Sequence, residues 1–362
     1  MNTNTVRESN INMTVGIDLG DDCSMICVLN GAGDIVKECR LPTDSESFLY
    51  FFNSFEDRSG TTVAMETSTH SPWLSALLVA RGFDVLVGNA RKLRAIWDSP
   101  NKTDVRDAQM LARIARFDRR LLSPIHHRSQ LSQNDLAILK ARDALVSNRT
   151  NLVNTVRGLV KASGNRLPST STESFSKVVA SELPKELRGA LSKVIDTIAH
   201  LTKQIQDYDR QIESLCKKRY PETKALRQIK GVGPVTSLAF VLTLESPDRF
   251  KKSRDVGPFL GLVPKRDQSG QIDKPLSITK AGNEYLRRLL VTASNYIMGP
   301  FGPDCDLRRL GERIASRGGK IARRKAKVAV ARKLAVVLHH LWKTEETYYP
   351  SMKDAGRQKI AA

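Results

Sequence analysis

The order of apolar patterns in residues 13–116 is the feature that most limits how this chain can fold. Three β-branched segments with strand periodicity come first, and a turn rich in glycine joins the second and third into a hairpin. Helical and strand patterns then alternate. The predicted strands are Met13–Leu19, Met25–Leu29, Ile35–Cys39, Thr61–Met65 and Phe83–Gly88, and the predicted helices are Ser45–Phe55, Trp73–Ala80 and Thr103–Arg116. This β-β-β-α-β-α-β-α order predicts a mixed sheet with helices on both faces.

That order is typical of an α/β domain of the ribonuclease H-like kind, and we assign residues 13–120 to it. From Leu131 to Cys216 the apolar residues follow a helical period. Two long stretches, in residues 125–220, predict an antiparallel helical pair that acts as an arm or coiled-coil linker, although two helices of an ordinary bundle would show the same pattern. A mainly α-helical C-terminal domain over residues 221–345 and a tail over 346–362 complete the prediction.

The charge of the chain is large and unevenly distributed. The net charge is +20, yet residues 1–100 carry −5 and the remaining residues carry +25. A basic excess of this size indicates a polyanionic partner, most commonly nucleic acid. An acidic domain in such a protein suggests carboxylates that perform chemistry, although a solvated acidic surface would give the same charge.

The cysteines and the apolar segments bear on whether the protein is a zinc-binding, secreted or membrane protein. The five cysteines lack the spacing of a zinc site, which favours free thiols in a reducing cytoplasm. The N-terminal sequence MNTNTVRESN has no apolar signal region, and Val235–Leu244 is too short to span a membrane. We therefore expect a cytoplasmic protein without a membrane partner, and in a bacterium the cytoplasm includes the nucleoid.

Four carboxylates form the strongest chemical pattern. Asp18 and Glu66 each stand where a buried strand should end, and Asp104 and Asp107 lie three residues apart in the first turn of one helix. Carboxylates brought together need cations between them, so the expected cofactor is a pair of Mg²⁺ or Mn²⁺ ions acting at a phosphodiester. Acids that only end a strand or begin a helix are the structural alternative.

Three further patterns predict contacts with nucleic acid. Gly231 and Gly233 precede an apolar helix, as in a helix-hairpin-helix turn whose backbone amides hold a phosphate. Ser269 lies on a glycine-flanked loop among cations, where it could attack a phosphodiester, although an ordinary loop serine is the simpler interpretation. The basic stretch Arg313–Lys333 contains nine Lys and Arg and no acid. The predicted nucleic-acid contacts are Gly231, Gly233, Lys265, Arg266, Lys280, Arg287, Arg323, Arg324, Lys325 and Lys327.

These motifs together resemble the insertion sequence 110 family of bacterial transposases. The resemblance rests on GIDLG, AMETS, NKTDVRDAQMLARI, IKGVGPVTS, GLVPKRDQSG and ITKAGNEYLRRLL. The ending GPFGPDCDLRRLG with ARRKAKVAVARKLAVVLHHLW is similar to the insertion sequence 1111 group of that family. The resemblance extends from about residue 13 to residue 345.

The resemblance implies a DEDD carboxylate domain, similar to the RuvC Holliday-junction resolvase, joined to a domain with a catalytic serine. Its DEDD residues fall on Asp18, Glu66, Asp104 and Asp107, and its serine falls on Ser269, with Ser277 nearby. It further implies DNA recombination through a covalent serine–DNA intermediate, acting on element ends and target. A structured noncoding guide RNA and a homo-oligomer, a dimer or tetramer with composite active sites, are implied as well.

Other interpretations of the same residues remain open at this point. A RuvC-like endonuclease would cut DNA junctions with metal and water and would not use Ser269. A non-catalytic nucleic-acid-binding protein would use the acids only structurally. A sugar-kinase or actin-like fold also opens with a GIDLG-type strand, but it would need a second phosphate loop, and Gly318-Gly319 lies within a basic stretch.

Overall fold

The computed structural model describes residues 12–93, 103–269 and 272–351, with the side chains of residues 269 and 272–275 left out. The chain divides between Arg128 and Ser129 into two compact units. The first is a mixed α/β unit and the second is mostly helical. The mixed α/β start and helical remainder predicted from the sequence are therefore confirmed.

The first unit is built on a five-stranded sheet with the order β3-β2-β1-β4-β5. β1, β2 and β3 are antiparallel neighbours, and β4 and β5 continue the sheet in parallel with β1. The strands are β1 (Thr14–Asp18), β2 (Cys23–Leu29), β3 (Ile35–Pro42), β4 (Thr62–Glu66) and β5 (Asp84–Gly88). The helices are α1 (Ser45–Phe52), α2 (Ser71–Ala80), α3 (Ala90–Leu93) and α4 (Asp104–Phe117), followed by a 3₁₀ helix at Arg119–Leu122.

Alternation along the strands separates two apolar layers. Val15 and Ile17 of β1 face one side, where they pack in a cluster with phenylalanines of α1 and leucines of α2. Ala64 of β4 faces the other side, where it packs against α4 at Leu111. Helices therefore cover both faces of the sheet, as the sequence pattern predicted.

Most predicted elements of this unit agree with the structure to within a few residues, and the differences have local causes. β2 begins two residues earlier than predicted because Ser24, although polar, is buried and its Oγ lies 2.8 Å from Thr43 Oγ1. α1 ends earlier than predicted, at Phe52, because the Ser54 and Phe55 amides donate to the Phe51 and Phe52 carbonyls three residues back, as in a turn. Thr103, where the predicted helix begins, lies just before α4 and caps it, accepting from the Arg106 amide at 3.3 Å.

The second unit contains nine helices and a β-hairpin within residues 129–269 and 272–351. The helices are α5 (Gln130–Ala162), α6 (Phe175–Glu182), α7 (Lys185–Lys218), α8 (Thr223–Leu226), α9 (Pro234–Leu244), α10 (Val256–Phe259), α11 (Glu284–Ile297), α12 (Asp306–Ala315) and α13 (Gly319–Thr344). Short 3₁₀ helices lie at Pro247–Arg249 and Ser253–Asp255. The hairpin consists of β6 (Pro264–Ser269) and β7 (Ile272–Ile278).

α5 and α7 form the long antiparallel helical pair that the sequence predicted. Arg142 of α5 pairs with Asp209 of α7 at 2.6 Å, and seven residues further along α5 the Arg149 Nη1 donates to Thr202 at 3.3 Å. The sequence did not predict α6, which packs Phe175 into an apolar cluster between the far ends of the pair. That cluster gives the arm a small core of its own.

The near ends of the helical pair belong to the main core of the second unit. Leu139 of α5 and Ile212 of α7 lie in one apolar cluster with α9, α11 and α13. Asp135, which is buried, accepts from Arg219 at 2.7 Å and from the Tyr220 hydroxyl at 2.7 Å, so a polar clamp ties the start of α5 to the end of α7. The arm is therefore anchored by both packing and charge.

A buried histidine ties α13 to the loop after α9. His339 is fully buried, its Nε2 donates to the Pro247 carbonyl at 2.8 Å, and its Nδ1 lies 2.9 Å from Ser253 Oγ. Burial lowers the pKa of His339 below its ordinary value, and Lys343 and His340 lower it further. The folded protein therefore holds this imidazole in its neutral form.

This burial predicts a pH dependence of stability. Because the folded pKa of His339 is lowered, protonation favours the unfolded chain, so its stabilisation is complete above the unfolded pKa of about 6.5 and is lost as pH falls through it. The free energy of unfolding, measured by denaturant titration from pH 8 to pH 5, should fall in this window. His339→Asn should weaken that slope, whereas the exposed His200→Asn should leave it unchanged. Equal slopes in all three proteins would contradict the prediction.

Candidate active site and nucleic-acid interface

Two parallel central strands bring Asp18 and Glu66 side by side. β1 and β4 pair with Ile17 opposite Met65, so the next residue of each strand occupies the same position at the carboxyl edge of the sheet. Both carboxylates are partly buried. Residues in register on parallel strands point to the same face, and this face is the one that α4 covers.

The packing of α4 against the sheet depends on Gly16. A Cβ on this residue would lie 2.0 Å from the Ala108 carbonyl oxygen and 2.6 Å from the Ala112 nitrogen, both backbone atoms of α4. The glycine therefore allows the helix backbone to touch the strand two residues before Asp18. This close approach brings the first turn of the helix near the edge of the sheet.

The direction of α4 decides which of its ends reaches that edge. Near its C-terminal end, the Arg116 guanidinium donates to the Gly31 carbonyl in the β2–β3 turn. That turn lies at the opposite end of the sheet from Asp18, because Leu29 pairs with Thr14. α4 therefore runs antiparallel to β1, and its first turn lies at the Asp18 edge.

The two acids of α4 point toward the same edge. Asp104 and Asp107 lie four residues before Ala108 and Leu111, which are both buried against the sheet, so all of these side chains share one face of the helix. Asp104 is exposed and Asp107 is partly buried. The fold thus gathers all four predicted carboxylates at one edge, which we call the acid edge (Asp18, Glu66, Asp104 and Asp107).

The acid edge fits a divalent metal by its chemistry but not by side-chain spacing. Four carboxylates are the hard oxygen ligands that Mg²⁺ and Mn²⁺ prefer. In the described ranges, however, no three His, Cys, Asp or Glu side chains lie close enough together to hold an ion. Binding a metal here would require these side chains to move.

The predicted serine lies on a hairpin rather than on a loop. Ser269 is the last residue of β6 and pairs with Ile272 of β7, and the turn between them at 270–271 and the Ser269 side chain lie outside the described residues. Ser277 of β7 is described and exposed. The expectation of a glycine-flanked loop is therefore wrong, because both flanking segments pair as strands.

Three predicted cations surround the hairpin at exposed positions: Lys265 and Arg266 on β6, and Lys280 just after β7. Gly261 closes the base of the hairpin. It has a positive φ of 68°, and a Cβ there would lie 2.2 Å from the Ala281 nitrogen. Its carbonyl accepts from the Lys280 amide at 3.2 Å, so the hairpin and its cations leave the core from a fixed base.

Arg287 differs from the other predicted contacts. Its side chain is only 9% exposed, and its Nη1 donates to the Leu260 carbonyl at 3.0 Å and the Ala281 carbonyl at 2.8 Å. These are the loop carbonyls at the base of the hairpin. Its guanidinium supports the hairpin and is poorly placed for a phosphate. A basic residue on a helix can therefore hydrogen-bond buried backbone carbonyls instead of a ligand. Its position in the sequence does not distinguish these two roles.

The glycines of the predicted phosphate turn lie directly before α9. Gly231 adopts a positive φ of 96°, which a side chain would strain and where a Cβ would also lie 2.8 Å from the Tyr296 ring. Gly233 is exposed at the start of α9, and within the described residues no side chain caps this helix. The first amides of a helix lack intrahelical partners, so they are available to an anion.

The four predicted basic residues of α13 are exposed, while apolar residues of the same stretch are buried. Ala326 and Val330 are fully buried in the main core, whereas Arg323, Arg324, Lys325 and Lys327 are all exposed. The helix thus packs through its buried apolar residues while the charged side chains of the same stretch stay in solvent.

Removal of these four charges should weaken DNA binding at every sequence alike. Each lysine or arginine that neutralises a phosphate contributes about one unit to the log–log slope of affinity against salt, so Ala at all four positions should flatten it by roughly 3–4. Fluorescence anisotropy over a salt series would measure this slope. The matched control replaces the exposed Lys177, Lys185, Lys193 and Lys203 of the arm. An equal loss of slope in both variants would show that only total charge matters.

Sequence reasoning missed one polar group beside the acid edge. His70, at the start of α2, lies with its Nε2 3.2 Å from Asp21 Oδ1, and its Nδ1 accepts from Trp73 Nε1 at 3.2 Å. The sequence shows only an isolated histidine in THSPW, three residues before a tryptophan. That spacing on one helical turn was the only available signal, since the Asp21 partner comes from a different loop.

Comparison with known proteins defines the class of the chain. The DEDD transposase domain of IS110 elements matches residues 15–163, and the transposase domain of the IS116/IS110/IS902 family matches residues 223–303. Both matches name transposases, which cut and rejoin DNA. The first of them contains the whole acid edge.

Full-length relatives agree with these domains. The chain is 29% identical to the transposase for insertion sequence element IS1111A of Coxiella burnetii, over 92% of this chain and 90% of that protein. It is 26% identical to the transposase for insertion sequence element IS1328 of Yersinia enterocolitica, over 65% of this chain and 70% of that protein. The chain belongs to the IS110 family of insertion-sequence transposases, and DNA is its partner. Within its described residues, the helices are all too short or too polar to cross a membrane.

Proposed function

We propose that this transposase cuts DNA with divalent metal held by the acid edge and rejoins it through a covalent bond to Ser269. The observation that carries the proposal is the gathering of Asp18, Glu66 and the first turn of α4 at one sheet edge. The strand order β3-β2-β1-β4-β5, with parallel pairing only after β1, supports a ribonuclease H-like fold for this unit. Nothing in a packing role requires four acids at one edge.

The acid edge would hold Mg²⁺ or Mn²⁺, which would supply charge stabilisation at the phosphodiester and activation of the attacking oxygen. Asp18 and Glu66 are fixed by the strands, whereas Asp104 lies at the exposed start of α4. The strand carboxylates would therefore form the rigid half of the site. The α4 carboxylates would complete it as their side chains rotate.

In the proposed cleavage step, Ser269 Oγ forms a bond to phosphorus and the bond from phosphorus to the leaving sugar oxygen breaks. The serine proton passes to that sugar oxygen, so one phosphodiester replaces another and no water is consumed. Attack by a sugar hydroxyl of a second strand reverses the step and releases Ser269. The energy of the bond is kept for rejoining. Exposed Lys265, Arg266 and Lys280 would offset the developing phosphate charge.

Assembly follows from the separation of these groups along the chain. The acids belong to the first unit and Ser269 to the second, so a site that uses both requires the two units to meet. We propose a homo-oligomer, a dimer or tetramer, in which the acids of one protomer meet the serine of another, with the α5–α7 arm as the contact. A structured noncoding guide RNA is part of this proposal and rests on membership of the family.

A DNA substrate that carries both junctions of the element with its flanking sequence would test this function. With Mg²⁺ and RNA transcribed from the noncoding end of the element, wild-type protein should yield rejoined, recombinant strands, and chelation of the metal should stop the reaction. Free ends without rejoined strands would favour the RuvC-like endonuclease, the second candidate function, which the acid edge alone would support. Binding without any cleavage would favour a non-catalytic role.

A further inference from the structure

Two loops extend beyond the acid edge and are tied together there. One follows β1 and carries Asp21, three residues after Asp18. The other follows β4 and carries His70, four residues after Glu66. His70 Nε2 lies 3.2 Å from Asp21 Oδ1. Because β1 and β4 are parallel neighbours, this hydrogen bond lies beyond the same edge of the sheet as the two strand carboxylates.

Trp73 fixes the protonation pattern of His70. The indole N–H can only donate, and Trp73 Nε1 lies 3.2 Å from His70 Nδ1. Nδ1 must therefore be the unprotonated acceptor, and the proton of the neutral ring is on Nε2. The Trp73 ring also packs edge-on against Phe48, which holds the indole in place.

This tautomer excludes a proton-transfer role for His70. As a general base, His70 would have to accept at Nε2 and carry its proton on Nδ1, which would face the N–H of Trp73. As a general acid, it would need both nitrogens protonated, with the same conflict. His70 can therefore act only as a neutral hydrogen-bond donor through Nε2, which suits a hydrogen bond to an anionic oxygen.

Asp21 is a weakly held hydrogen-bond partner of the His70 Nε2–H. Its side chain is 96% exposed, whereas that of His70 is 25% exposed. An exposed pair contributes little to stability, so packing fixes the histidine while solvent can replace the aspartate. The Asp21 carboxylate accepts a hydrogen bond from the fixed Nε2–H of His70. A phosphate oxygen could accept from the same N–H in its place.

We propose that His70 binds a non-bridging phosphate oxygen of the DNA beside the acid edge, and that Asp21 occupies this donor in the free protein. The inference rests on the proposed function of the acid edge. It assigns His70 as a catalytic residue that neutralises charge through a hydrogen bond rather than by moving a proton. Asp21 is then a placeholder that DNA displaces.

Cleavage rates of four purified full-length variants test this assignment in Mg²⁺ from pH 6 to pH 9. His70→Ala should lower kcat by about tenfold to a hundredfold, as expected for one lost hydrogen bond to a charged group, and by the same factor at every pH. His70→Gln keeps a donor near the Nε2 position and should recover most of the rate. Trp73→Phe keeps an aromatic side chain but removes the N–H that donates to His70 Nδ1. The His70 proton can then lie on either nitrogen, so this variant should lose part of the rate.

Asp21→Ala separates the assignment from a structural role. A placeholder can be removed without loss, so this variant should cleave at least as fast as wild type. If the His70–Asp21 bond only holds the two loops together, Asp21→Ala and His70→Ala should lose activity equally, and that outcome would overturn the proposal. So would an unchanged rate in His70→Ala, or a loss confined to one side of the pH range.

A binding readout keeps this inference distinct from the proposed function. The chain has six histidines, so selective ¹⁵N labelling of histidine gives few enough signals to identify His70 by its absence in His70→Gln. The Nε2–H signal should move when a short DNA duplex is added, in wild type and in Asp18→Asn alike. A signal that does not move overturns the inference even where cleavage occurs, and a protein that never cleaves refutes the proposed function alone.

Discussion

Wild-type protein trapped with its DNA substrate by denaturant should carry a covalent DNA adduct, and Ser269→Ala should carry none. Ser269 Oγ is the protein atom that bonds to phosphorus in the proposed step, so its removal leaves no path to the covalent intermediate. Detection by gel electrophoresis of labelled DNA, with loss of the shifted band after protease treatment, makes the effect all-or-none. DNA binding by Ser269→Ala, measured by anisotropy, should match wild type because the cations are intact.

Ser277→Ala is the matched control for this experiment. Ser277 lies on β7 of the same hairpin and is exposed, so both variants lose one hydroxyl from the same small sheet. An adduct that survives in Ser269→Ala and disappears in Ser277→Ala would show that the nucleophile was assigned to the wrong serine. A wild-type protein that cuts DNA yet forms no adduct would establish the metal-and-water endonuclease instead.

Asp18→Asn is expected to abolish cleavage, with a loss of roughly a thousandfold or more, because a neutral amide cannot replace a carboxylate that holds a divalent metal. Asp104→Asn should have the same effect, since both side chains face one edge. Asparagine preserves the size of the side chain, so folding and DNA binding should persist. The rate of strand cleavage in Mg²⁺, together with thermal unfolding, measures both properties.

Asp34→Asn serves as the control for the acid variants. Asp34 is exposed in the β2–β3 turn, at the opposite end of the sheet from the acid edge. The Asp34→Asn variant should therefore cleave DNA at the wild-type rate. Full activity of Asp18→Asn would rule out cleavage by a divalent metal held at the acid edge. A loss of DNA binding in step with the loss of cleavage would instead assign the acids a structural role.

The local elements of the first unit could be predicted from the sequence because each depends on near neighbours. The short, mostly apolar segments Thr14–Asp18 and Thr62–Glu66 mark strands whose first four residues are all buried, and the Thr103 side chain caps α4 through a residue only three positions away. The four acids were identifiable for the same reason. Each stands at the end of a recognisable element, which is where the carboxyl edge of a sheet presents its side chains.

Contacts between residues distant in the chain could not be predicted. The Asp135–Arg219–Tyr220 clamp joins positions more than eighty residues apart, and nothing in either segment marks the partner. α6 was missed because a short helix beside a Ser- and Thr-rich loop has little periodicity of its own, and it is stabilised by Phe175 in the arm core. The β6–β7 hairpin was taken for a loop because its polar residues hide the strand pattern.

The sequence by itself determined which residues could do chemistry and in which elements they lie, because residue type and periodicity are local properties. Only the tertiary structure decided what each of them does. It placed Arg287 under the hairpin base rather than on a phosphate, and it packed α4 antiparallel to β1, with Gly16 against the helix backbone and Arg116 on the β2–β3 turn. It also paired His70 with Trp73 and Asp21, because two loops separated by some fifty residues meet only when β1 and β4 become neighbours.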